Sequence, residues 1–332
     1  MKPLELSGYL EFVFNNKYPV LVKSKPGCGK SDIITDAAQR IGQKLIISHP
    51  VVSDPTDYKG LPFPSKKGVA EFIPFGDLHQ LIIAKEPTVF FLDDLGQATP
   101  AVQAACMQLL LARRINGHVI SDNVTFIAAS NRREDKAGVR GLLEPVKSRF
   151  VSIVELEVDT NDWVKWAIQH NMPTELIAFV RFKPDFLDDF SPTQDLVNSA
   201  SPRTVANVGK QQLSGLDKKL EFEVFKGAAG EAFATEYCEF LRIIRELPSV
   251  DQIILTPTTA IVPTDPGAQF AISAALARKL SDSNIKSIIT YLDRLPEEIA
   301  VACIKDGVTR TPEINHTREF IEWTSKKSSL MS

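Results

Sequence analysis

SKPGCGKS (24–31) follows the apolar run PVLVKS (19–24) and opens a stretch with helical spacing, Ser31 to Arg40. A strand that ends in a glycine-rich turn and restarts as a helix points successive backbone N–H groups, reinforced by the helix dipole, at an anion. Gly27 and Gly29 let the backbone curl inward. Lys30 and Ser31 complete most of the pattern GxxxxGK[ST], in which the lysine bridges the β and γ phosphates of a nucleotide and the hydroxyl ligates Mg²⁺. Lys25, Pro26 and Cys28 occupy its variable positions. Ser24 stands where the pattern begins with glycine, and it fits that turn only with a negative φ. Taken alone, the segment also fits a glycine-rich turn with an incidental lysine.

Four more apolar runs follow: KLIIS (44–48), TVFFLDD (88–94), VTFIAAS (124–130) and FVSIVEL (150–156). Continuous apolar strands separated by helical stretches, such as Pro100 to Leu111, are what a parallel sheet covered on both faces requires. The expected fold class is therefore α/β, a three-layer sandwich around a parallel five-stranded sheet, filling residues 1–156. Two segments, about 53–78 and 113–123, break the rhythm and read as inserted β-hairpins, the second turning at Asn116-Gly117. From 157 to about 250 the spacing is helical, with Pro173, Pro184, Pro192 and Pro202 at the boundaries. Residues 251–332 read as a linker, LTPTTAIVPTDPG (255–267), followed by a C-terminal helical region.

The third run ends in Asp93 and Asp94, at the edge of a parallel sheet where ligands bind. Asp93 is placed to hold Mg²⁺ through water. Asp94 stands where a water-activating glutamate is expected, with an arm shorter by roughly 1.5 Å, one C–C bond. Two acids at that point also suit the N-terminus of a helix starting near Gln97. The fourth run ends in Asn131, whose amide can orient an attacking water. Arg149, in VKSRF, and Arg203, in SPRTV, are each unremarkable in isolation, because a lone arginine is usually a solvated charge.

The order of these features carries more than any one of them. Strand, phosphate loop, helix, acid pair, Asn131, Arg149 before a strand and Arg203 after Pro202 together resemble the series of AAA+ ATPases. The stretches SDPTDYKGLPF…FIPFGDL (53–78), RRINGHVISDNVTFIAASN (113–131) and SPRTV are similar to the inserts and lid signature of the MoxR group. The resemblance runs from about Pro19 to Leu241. Ser24, Asp94 and Leu95-Gly96-Gln97 depart from the group's pattern. The resemblance implies ATP and Mg²⁺ as cofactors, Asp94 and Asn131 as catalytic, Arg149 as an arginine finger acting on a neighbouring subunit, and Arg203 as a second sensor. It implies that residues 157–250 form a helical lid. It further implies a homo-oligomeric ring, a hexamer, with chaperone-like action on a protein client, in that group often a von Willebrand A domain protein.

Composition narrows the alternatives. In 332 residues, 44% are hydrophobic and the formal net charge is −3, so the chain can build a core but has no global basic field for nucleic acid. A DNA- or RNA-associated motor or loader is thus the weaker alternative, beside a nucleotide-gated scaffold with little hydrolysis. Cys28, Cys106, Cys238 and Cys303 are scattered with no CxxC pair, against a zinc site or a disulfide framework. His49 has no second ligand near it. The opening MKPLELSGYLEF lacks the plan of a signal peptide, and no stretch reaches the 18 or so apolar residues of a membrane span. The expected location is the cytoplasm, with no membrane partner. No NKxD segment points to guanine.

Overall fold

The computed structural model describes residues 1–65, 68–135, 141–193, 195–247 and 249–327. The chain forms two compact units, Met1–Val158 and Asp159–Ser332. The first begins α1 (Pro3–Asn16), β1 (Val20–Ser24), α2 (Lys30–Arg40), β2 (Lys44–Ser48), α3 (Pro55–Lys59), β3 (Leu61–Pro64), β4 (Ala70–Ile73) and α4 (Gly76–Ile83). It continues β5 (Thr88–Leu92), α5 (Pro100–Ala112), β6 (Arg114–Ile115), β7 (His118–Val119), β8 (Val124–Asn131), α6 (Glu144–Lys147) and β9 (Ser152–Glu155).

Five of these strands make one parallel sheet in the order β2-β5-β8-β1-β9. Alternate residues of each strand serve opposite layers, as the two-residue period of a strand demands. Leu21, Phe90, Leu92, Phe126 and Ala128 face a layer built from Tyr58, Leu78, Leu81, Val102, Cys106 and Leu109. Val20, Val22, Val89, Phe91, Ile127 and Ala129 face the other, built from Leu6, Leu10, Phe14, Ile34 and Ala37. The inner strands β1, β5 and β8 are therefore largely apolar and buried, whereas β2 and β9 lie at the edges and are partly exposed.

Both inserted hairpins form. β3 pairs with β4 and β6 with β7, each antiparallel. Asn116 and Gly117 both have positive φ, which suits a tight turn of the type that favours this pair. The tip residues Lys66 and Lys67 of the first hairpin lie outside the described residues. The two hairpins touch: Asn116 Nδ2 donates to Lys59 O at 2.8 Å, and His118 Nε2 lies 2.8 Å from Phe72 O. The short helix α3, absent from the sequence expectation, is closed by a capping box between Asp54 and Asp57.

Gly60 ends α3 at φ +85°, and a Cβ placed there would meet the backbone oxygen of Ile73 at 2.8 Å. Both the left-handed conformation and the close approach require glycine. Gly60→Ala is accordingly expected to destabilise the unit by about 1–3 kcal/mol. A urea titration followed by circular dichroism measures this, and an unchanged midpoint contradicts it.

The second unit is helical: α7 (Thr160–Gln169), α8 (Thr174–Phe182), α9 (Pro202–Leu213), α10 (Glu221–Ala229) and α11 (Glu231–Arg245). There follow α12 (Val250–Leu255), α13 (Pro266–Lys279), α14 (Ile285–Leu292), α15 (Glu297–Arg310) and α16 (Arg318–Lys326). Phe179 is its aromatic hub, edge-on to Phe233 at 5.4 Å and stacked on Phe186 at 5.7 Å. Trp163 is buried in the same unit and donates from its indole to Pro202 O at 3.3 Å, as a core tryptophan should. Arg181 on α8 forms a partly buried ion pair with Asp306 on α15.

The stretch between α12 and α13, expected to run free as a linker, is tied down along its length. Arg294 donates to Pro257 O, Tyr291 to Ile261 O and Gln269 to Pro263 O, while Ala260 is buried in the neighbouring apolar cluster. Prolines lack an N–H but keep their carbonyls, so a proline-rich segment can be anchored entirely as an acceptor. Among the described residues no helix is long and apolar enough to cross a membrane.

Candidate functional site

The sheet order sets β5, β8 and β1 side by side, so the segments leaving their C-terminal ends converge. Register does the rest: Ser24, last in β1, pairs with Asn131, last in β8. The acid pair follows β5 directly, and Asp93 N–H donates to Ser48 O at the end of β2. Three chain segments far apart in sequence thus meet at one edge of the sheet.

The loop between β1 and α2 has the geometry of an anion cradle. Gly27 and Gly29 take φ of +78° and +88°, and Gly29 leads directly into α2. Ser24 remains in extended strand conformation, outside the positive-φ residues, so the missing glycine costs the turn nothing. Cys28 sits in the apolar layer beneath α1 and α2.

Lys30 is only 6% exposed, and its ammonium finds protein acceptors. Nζ donates to Asn131 Oδ1 at 2.7 Å, to Ser24 Oγ at 2.9 Å and to Lys25 O at 3.3 Å. Ser31 Oγ donates to Asp93 Oδ2 at 2.8 Å. Asn131 then reaches the other way, Nδ2 to Asp94 Oδ1 at 3.3 Å. One amide side chain therefore links the lysine of the loop to the second acid.

The helix-cap alternative for the acid pair is not realised. Asp93 Oδ1 accepts from Asp94 N–H, a three-residue 3₁₀ turn follows at Leu95–Gln97, and α5 is capped by Thr99, whose hydroxyl accepts from Val102 N–H. Asp94 itself has φ +54°, a left-handed conformation costing a non-glycine residue about 1 kcal/mol. Strain of that kind clusters at functional sites, and here it turns the carboxylate toward Asn131.

Neighbouring charges frame the site without entering it. Arg132 is bound to Asp135 at 2.8 Å and to Glu155 at 3.1 Å. Lys23, 2.8 Å from Glu155, holds that carboxyl below its usual range, with Arg132 adding to the effect. Arg149 follows α6 and is not brought to the Lys30 group: Nη1 donates to Ser148 Oγ at 3.3 Å, and its buried Nε has no partner among the described residues. Arg203 is the second residue of α9 in the other unit and is exposed. Sequence reasoning counted Ser24 as a defect in a motif and missed it as an acceptor for Lys30. A hydroxyl one residue before the loop was the available signal.

The donor set also suits a small divalent cation. A hydroxyl and a carboxylate, both hard oxygen ligands, lie together at Ser31 and Asp93 beside the cradle, as Mg²⁺ prefers.

This is a P-loop α/β fold. The strand order, the phosphate loop after β1, the acid pair after β5 and the amide at the end of β8 decide it together. No family model matches the chain. Midasin of Giardia intestinalis is 26% identical over 172 residues, which cover 49% of this chain and 4% of midasin, so the chain spans a small fraction of that relative. Among solved structures, the Holliday junction branch migration motor RuvB of Thermotoga maritima is 17% identical, covering 82% of this chain and 79% of that one, with a TM-score of 0.39. NtrX from Brucella abortus in complex with ADP is 13% identical, covering 99% and 68%, with a TM-score of 0.40.

Proposed function

We propose that the chain is a Mg-ATP-dependent AAA+ ATPase of MoxR-like type, acting as a homo-oligomeric ring on a protein partner. The observation that carries the reading is Asn131, bonded at once to Lys30 and to Asp94. A cradle for phosphate, a lysine beside it, and an acid joined to that lysine through an amide are the parts that phosphoryl transfer to water needs.

In this reading Lys30 and the loop N–H groups bind the phosphates. Ser31 and Asp93 hold Mg²⁺, which when bound would neutralise charge on the phosphate oxygens. Asp94 takes the proton from water, and Asn131 orients the water and Asp94 relative to each other. Arg149, not engaged by the groups around Lys30, suits a role toward a neighbouring subunit. Arg203, exposed at the start of α9, suits the second sensor on the lid. The touching hairpins expose Leu61, Phe63, Ile73 and Val119, which supports contact with a protein rather than with phosphate backbones.

Steady-state phosphate release, measured across a range of protein concentrations, tests this. Turnover per chain should rise with concentration and level off as the ring fills. ATP bound without turnover at every concentration would remove the hydrolytic part of the proposal.

A further inference from the structure

Lys30 carries an ammonium with three donors on a flexible stem of four rotatable bonds, and the residue is only 6% exposed. A charge buried in this way must be hydrogen-bonded by the protein. Of its acceptors, Asn131 is shared with Asp94 and Lys25 O is the longest contact, at 3.3 Å. Ser24 Oγ, at 2.9 Å, belongs to a fully buried residue at the rigid end of a central strand. Its own proton is committed to Lys25 O at 2.7 Å, which leaves the oxygen lone pairs for Nζ. Lysine, serine and the Lys25 carbonyl thus form a closed loop of hydrogen bonds whose members polarise one another. The glycine of the strict pattern has no atom that could do this.

We propose that Ser24 is a positioning residue for Lys30: its hydroxyl anchors the ammonium at the junction of β1 and β8, so the phosphate-binding charge is preorganised. The departure from the strict pattern is therefore a gain in order. The proposal rests on the nucleotide-binding reading above. A lysine already held in one rotamer loses less freedom when phosphate arrives, and that saving shows as affinity.

The decisive variant is Ser24→Gly, which restores the strict pattern and on that ground should bind nucleotide at least as well as the natural chain. The proposal expects the opposite: Ser24→Gly and Ser24→Ala each bind Mg-ADP and Mg-ATP about three- to tenfold more weakly, the scale of one ordinary intramolecular hydrogen bond. Equilibrium titration with a fluorescent adenine nucleotide reads this, with thermal denaturation confirming that each variant is folded. A second measurement separates positioning from packing. Made in a Lys30→Ala background, Ser24→Gly should have no further effect on nucleotide affinity, because its partner is gone. Affinity of Ser24→Gly equal to or above that of the natural chain overturns the proposal, as does an undiminished effect without Lys30. If the natural chain binds neither nucleotide, the nucleotide reading itself fails and takes the proposal with it.

Discussion

Lys30→Ala is expected to lower affinity for Mg-ATP by about 100-fold or more. Each charge-assisted bond from an ammonium to phosphate is worth about 1.5–3 kcal/mol, and Lys30 is the cation placed within the cradle. The substitution leaves two acceptors, the buried Ser24 Oγ and the partly buried Asn131 Oδ1, without their donor. Some loss of thermal stability should therefore accompany the loss of binding. Lys30→Arg should not restore affinity, since a planar fork cannot occupy the place of a compact ammonium bonded to three acceptors. Fluorescent-nucleotide titration of both variants measures the effect. Binding within a fewfold of the natural chain for Lys30→Ala would remove the loop from the nucleotide site.

The second large effect concerns Asp94. Asp94→Asn keeps the shape and the contact to Asn131 but cannot take a proton, so turnover should fall by about 10²–10⁴-fold with binding nearly unchanged. Asp94→Glu lengthens the arm by roughly 1.5 Å, one C–C bond, and should raise turnover severalfold if reach limits the natural enzyme. Single-turnover phosphate release, which separates chemistry from product departure, is the measurement. An asparagine variant that turns over at the natural rate would show that Asp94 is not the base.

Much of the first unit was legible in its sequence because a parallel sheet covered on both faces makes its inner strands largely apolar. TVFFL and VTFIAAS could hardly be anything else. Lys30, Asp93 and Asn131 were legible for a related reason. Asp93 and Asn131 stand at the C-terminal edge of such a strand and Lys30 at the end of the loop that leaves one, and strand ends in this class of sheet are where ligands go. What escaped was carried by contacts that leave no local pattern. The bond from His118 to Phe72 joins two hairpins 46 residues apart. The stretch between α12 and α13 is held by donors from Gln269, Tyr291 and Arg294 onto its carbonyls, and carbonyls are the one feature every residue type shares. Ser24 escaped because a motif registers a mismatch without saying what the substituted side chain can bond.

The pairing of Ser24 with Asn131 has a consequence for how this protein can fail. Because side chains alternate along each strand, sliding β8 by one residue would exchange its contributions to the two apolar layers and carry Asn131 away from Lys30 in the same movement. A chain misaligned by one residue would lose its sound interior and its centre together. Against a slip of one residue, proofreading of the sheet by its own interior is therefore also proofreading of its chemistry.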